Sequence, residues 1–297
     1  MVTITYIIEN VIDGLVLGGI YALTALGLAI IYRVIGVVNL AHGDFLMLGG
    51  LLAYYVFTLS GRFFEGVTPL LISFPLIFAA FLAFGSAFNI GLVKPMVKRK
   101  PNEFLIGCVL VTIGASFLIE DITANLAGTL PRGIYLGLGP ITIGEVTIPQ
   151  FRLISLGIVC ALSLFFHIFI KRSFVGTAMR AITQDREAAV IMGVNVDFIS
   201  TMVFGIGAFF SAVAGLVYLA NGFPIQPYIG IPLTVKALTV IVVGGAGSIL
   251  GALLGGIIIG VAETLTGSFI SFYWSPAIAI ILLIAILLLK PTGLVAE

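Results

Sequence analysis

Six stretches of this chain, 8–32, 70–93, 104–127, 151–170, 199–220 and 272–289, are each long and apolar enough to cross a bilayer, which takes roughly 20 residues of helix. No soluble core needs so many unbroken apolar runs, and composition agrees. Of 297 residues, 60% are hydrophobic and 9% charged, against about 25% charged in a typical soluble domain. A soluble enzyme is thereby excluded. Fourteen Lys and Arg against 13 Asp and Glu leave a formal charge of +1, so there is no basic field for nucleic acid and no acidic tail. The expected partner is lipid, and the 36 glycines are expected to let helix backbones approach closely.

Two further stretches are interrupted. The run 40–60 holds His42 and Asp44 before turning continuously apolar, and 234–266 is too long for one helix, so it divides into 234–244 and 249–266 at Gly244-Gly245-Ala246-Gly247-Ser248. The expected fold class is an all-α integral membrane protein, a polytopic bundle of about eight or nine segments with broken or re-entrant helices. The first basic residue is Arg33, so the start lacks the charged region of a secretory signal, and the run Val11 to Tyr32 is expected to stay as a span. Cys108 and Cys160 lie inside apolar stretches, far from any disulfide or metal-clip spacing.

Basic residues in short loops set orientation. Lys94, Lys98, Arg99 and Lys100 share one connection, and Lys171, Arg172, Arg180 and Arg186 another, two spans later. Both loops read as cytoplasmic, which puts the N-terminus outside, Arg33 inside, the 128–150 connection outside and, with nine segments, Lys290 inside. If 234–244 re-enters without crossing, the C-terminus lies outside instead. The alternation of Ile141-Thr142-Ile143-Gly144-Glu145-Val146-Thr147-Ile148 predicts a small external hairpin, which either covers the bundle or meets an external partner.

Between the second basic loop and the next span, Thr183 or Asp185 is placed to cap a short surface helix over 185–193 that Gly193 ends in a left-handed conformation. Ile182, Ala189 and Met192 fall at helical spacing and predict one modest apolar face. That suits a groove on another protein as well as it suits a solvated connector. Gly247, Gly251 and Gly255, then Gly256 with Gly260, and Gly14 with Gly18 recur every four residues and predict close helix packing.

Irregular backbone at membrane depth survives where protein or a water-filled cavity satisfies it. The interruptions at Asn39 to Asp44 and at Gly244 to Ser248 therefore make Asn39, His42, Asp44, Gly245, Gly247 and Ser248 candidates for a translocation path, since broken segments in both halves point to a transporter. Charged residues inside spans add Lys236 and Glu263, placed to pair, as path candidates, and Glu120 and Asp121 are further charges within a span. His42 reads as a helix-start hydrogen-bonding residue before a proton relay, and His167 as interfacial packing. None of the six lysines is followed by Ser or Thr, so no Walker A loop is present, nor is there a His-Glu-x-x-His run or a Gly-x-Ser-x-Gly elbow. No catalytic residue and no metal ligand set is expected, and the driving energy must come from an ion gradient or a partner ATPase.

Glu187-Ala188-Ala189 with Gly193 resembles the coupling segment of ABC importer permeases. The run Gly14 to Leu28, the segment Asn39-Leu40-Ala41-His42-Gly43-Asp44-Phe45-Leu46-Met47-Leu48-Gly49, Pro227-Tyr228-Ile229-Gly230, Lys236-Ala237, Gly244 to Ile249 with Gly251-Ala252, and Lys290-Pro291-Thr292-Gly293-Leu294 are similar, in the same order, to the LivH-type permeases of branched-chain amino acid importers. The resemblance covers nearly the whole chain. It implies a single permease domain over 1–297 with inverted pseudo-repeats roughly at 1–127 and 151–297, and a cytoplasmic coupling loop at 171–198. In it Asp185, Arg186, Glu187, Ala188, Ala189 and Gly193 would meet an ATPase. It implies two cytoplasmic ATPase subunits carrying ATP-Mg, a second related permease, an external binding protein, an inner-membrane location, and Leu, Ile or Val as substrate, moved by alternating access. This chain itself would bind no cofactor. Urea, amides or other amino acids are alternative substrates, and a proton- or sodium-coupled carrier using Asp44, Glu120, Asp121 and Glu263 is the alternative mechanism. Glu120-Asp121 departs from the uncharged polar residues of the family.

Overall fold

A computed structural model describes residues 4–61, 66–97, 101–245 and 248–295. Lys98, Arg99 and Lys100 of the first basic loop, and Ala246 and Gly247 of the second break, lie outside the described residues. In chain order the helices are α1 (Ile4–Ile35), α2 (His42–Ser60), α3 (Thr68–Phe88), which runs through a π turn (Asn89–Val93) into α4 (Lys94–Val97), and α5 (Pro101–Ala127). A hairpin of β1 (Pro140–Ile143) and β2 (Val146–Pro149) follows. Then come α6 (Gln150–Arg172), α7 (Phe174–Gln184), α8 (Arg186–Ile191), α9 (Val196–Ala220), α10 (Gly230–Gly244), α11 (Ile249–Phe269), a 3-10 turn (Phe272–Trp274) and α12 (Ser275–Leu289). Among the described residues eight helical segments are long and apolar enough to cross a membrane, with Gly230–Gly244 a shorter ninth. The expected polytopic all-α bundle is what forms, and each predicted span holds a helix.

A helix that is apolar all round belongs in a core, and α1 and α9 are the two central helices, buried over most of their length. On one side α1 packs along α11, and on the other α9 packs along α3. Small residues make both contacts possible. A Cβ on Gly18 would sit 2.6 Å from the Gly256 oxygen, and one on Gly205 would sit 2.7 Å from that of Leu82, so the backbones themselves touch. The predicted Gly14/Gly18 face thus meets the predicted Gly256/Gly260 face. By contrast α5, α6 and α12 leave much of their apolar surface uncovered by the rest of the chain.

The molecule has two chemically distinct ends. At one, Thr5 and Glu9 of α1 hold the hairpin through Glu145 and the Thr147 N–H. The register pairs Ile141 with Ile148, as the alternation predicts. At the other end lie Arg33, Lys94, Lys171 and Arg172, with Lys94 bridging to Asp197 at 2.9 Å.

Candidate functional site

At the basic end, Ser173 caps α7 by accepting from the Gly176 N–H, and Asp185, in extended backbone, caps α8 by accepting from Ala188 at 2.9 Å. Gly193 takes φ +85°, and the Val194 N–H reaches back to the Ala189 oxygen, the left-handed stop that a glycine there permits. So α8 is a single capped unit of six residues, shorter than the predicted 185–193, and α7 before it is an amphipathic helix that the span pattern does not announce. The predicted apolar face is corrected as well. Asp185 breaks the helix, so Ile182 and Ala189 both turn into the bundle while Met192 is 83% exposed. What projects outward is Val190, Ile191 and Met192, beside exposed Arg186, Glu187 and Ala188.

The first interruption folds inward. α2 begins beside the middle of α1, where His42 Nε2 lies 3.1 Å from the Thr24 oxygen. Asn39 turns the chain by accepting from the Ala41 N–H. Neither α2 nor α10 has a cap of its own. Thr234 of α10 accepts from the Gly43 N–H at 2.7 Å, and Glu120 of α5 lies beside the Gly230 and Ile231 N–H groups at the start of α10. The two helix starts meet there: Gly230 abuts Asp44, whose carboxylate accepts from Ser116 and lies beside that of Glu120. Asn39, His42, Asp44 and Glu120 are all buried. The first interruption thus meets Gly230–Thr234 at the start of α10.

That second break has its own closure. Ser248 is buried and caps α11 through the Gly251 N–H. Gly245, at φ +109°, is covered by the returning C-terminal segment, whose Leu294 and Val295 N–H groups donate to Val243 and Gly244. Lys236 and Glu263 do pair, at 2.8 Å, with Glu263 only 1% exposed. Sequence reasoning misses their third member: Tyr21 donates to Glu263 Oε2 at 2.8 Å and accepts from Lys236 at 2.6 Å, and its ring lies under the ammonium. Glu263 also floors a cavity of about 460 Å³ at the hairpin end, lined by Asn10, Asp13, Arg152, Asn221 and Ser268. Among the described residues, the predicted ones thus fall into three largely buried groups and one exposed one.

A family model described as "Branched-chain amino acid transport system / permease component" matches residues 10–288. The chain is 31% identical over 300 residues to the high-affinity branched-chain amino acid transport system permease protein LivH of Salmonella typhimurium, covering 98% of this chain and 96% of that one. It is 31% identical over 304 residues to the corresponding protein BraD of Pseudomonas aeruginosa, covering 100% and 98%. More distantly, it is 24% identical over 299 residues to the ribose import permease protein RbsC of Haemophilus influenzae, covering 94% and 84%.

Proposed function

Because this chain belongs to the family of branched-chain amino acid transport permeases, we propose that it is the membrane subunit of an ATP-driven importer for Leu, Ile and Val. It works with a second related permease, two cytoplasmic ATPases that bind ATP-Mg, and an external binding protein. The hairpin end faces outward, the basic end faces the cytoplasm of a bacterial or archaeal cell, and the chain itself carries no cofactor. The observation that carries this reading is the capped α8, with Glu187 and the apolar side chains Val190 to Met192 presented to solvent at the basic end. Such a knob fits a groove on a partner, and a self-sufficient carrier has no use for it.

The packing supports alternating access. α1 on α11 is matched by α9 on α3, and the start of α2 meets the start of α10, which supports two inverted halves at roughly 1–127 and 151–297 rocking about the α1–α9 contact. ATP binding closes the ATPases, α8 moves with them, and Ala189, buried against the bundle, carries the motion inward. The test is Glu187→Lys and Gly193→Asp. The first reverses a docking charge and the second puts a side chain at positive φ. Both should abolish uptake and ATPase co-purification while membrane yield holds; unchanged co-purification with unchanged uptake removes the docking role.

A further inference from the structure

Among the described residues, the charges inside the spans and away from their ends are paired or covered with one exception. Asp13 pairs with Arg152, Asp44 lies against Ser116 and Glu120, and Lys236 pairs with Glu263. Asp121 in α5 does neither. It is exposed on an apolar helix, two turns before that helix ends at Ala127, and among the described residues no cation lies in reach. A carboxylate turned into hydrocarbon is strongly disfavoured and by default marks an aqueous pathway or a partner.

Its surroundings choose between these. Tyr228, in the loop before α10, is 51% exposed, takes φ 71°, and donates its hydroxyl to Asp121 Oδ1 at 3.3 Å. Left-handed backbone at an aromatic residue is costly and persists where the surroundings impose it. Exposed Asn125 lies one turn further along the same face of α5. Just behind, buried Glu120 lies beside the start of α10 and keeps its Oε1 without a donor among the described residues. Toward the basic end the same faces turn apolar, with Phe117 of α5 and Pro232 and Val235 of α10 exposed. An acceptor pair above an apolar wall complements an ammonium carried next to a branched aliphatic side chain.

We propose that the face shared by α5 and α10 lines an aqueous passage, and that Asp121 with the Tyr228 hydroxyl receives the primary ammonium of a zwitterionic amino acid as it passes. This rests on the amino-acid transport reading. In the assembled transporter carrying Cys108→Ala and Cys160→Ala, a positively charged methanethiosulfonate reagent should modify Asp121→Cys about tenfold faster than Leu118→Cys, because thiols ionise in water and not in lipid. Leu118 is the control because it is 61% exposed on the same helix. Asp121→Asn should lower leucine uptake per ATP hydrolysed about tenfold, the weight of one charge-assisted hydrogen bond, and Tyr228→Phe about threefold. Asp121→Glu should restore most of the loss. Equal labelling of 121 and 118, unchanged coupling in Asp121→Asn, or a disulfide from Asp121→Cys to the neighbouring permease would each overturn the proposal. Those outcomes leave transport itself standing, whereas an unmutated transporter that takes up no amino acid would sink the transport reading first.

Discussion

At the scale of single residues, the Lys236–Tyr21–Glu263 group shows how a membrane interior tolerates charge. Glu263 is 1% exposed, and its Oε2 takes hydrogen bonds from both Lys236 and Tyr21. Removing one partner of a buried ion pair leaves an uncompensated charge, at a cost of about 3–5 kcal/mol by analogy with soluble proteins. Lys236→Met alone and Glu263→Gln alone should each lower the yield of folded protein after detergent extraction, and the double change should recover part of it. If the double variant is no better than the worse single one, the two residues act separately. Tyr21→Phe should cost less than either, since it removes two hydrogen bonds but no charge. The pair is legible from the sequence, because two opposite charges interrupt neighbouring apolar segments. Tyr21 is not, because a tyrosine in an apolar run reads as one more hydrophobic residue until a partner from a distant helix reaches its hydroxyl.

At the scale of elements, glycine spacing decides which helices can touch. The four-residue intervals in α1 and α11 predict close faces but not which face meets which. Contact between α1 and α11 emerges only in three dimensions. Gly18→Leu should collapse folded yield, since even its Cβ would press on the Gly256 oxygen and the Ile257 Cα within 2.8 Å, and overpacking a fitted contact costs about 1–3 kcal/mol or more. Gly157→Leu, where nothing lies within 4 Å, should be tolerated; size-exclusion chromatography of both variants makes the comparison, and equal yields would refute the close-packed reading. α8 is legible for a local reason: Asp185 and Gly193 are cap residues at the right spacing. Its orientation is not, because burial of Ala189 and exposure of Met192 depend on where α9 lies. The same holds for the start of α2, whose cap comes from Thr234, remote in sequence.

At the scale of the whole molecule, the spans were legible because the bilayer demands about 20 apolar residues of helix from any crossing segment, and that demand is local. Sidedness follows from a different force, the retention of Lys and Arg on the cytoplasmic side, and it gives a prediction independent of everything said of α8. Arg33, Lys94, Lys171 and Arg172 gather at one end, while the hairpin and the start of α1 gather at the other, so one end or the other must be outside. In a background carrying Cys108→Ala and Cys160→Ala, Gly139→Cys, in the exposed stretch just before the hairpin, should react with a membrane-impermeant maleimide in intact spheroplasts. Arg172→Cys, at the basic end of α6, should react only after the membrane is opened. Because α6 joins these two ends directly, the two sites must label from opposite faces whichever way the bundle sits. Labelling of Arg172→Cys from outside, with Gly139→Cys protected, would invert the bundle, put α8 beyond the reach of any cytoplasmic ATPase and remove the basis of the coupling reading.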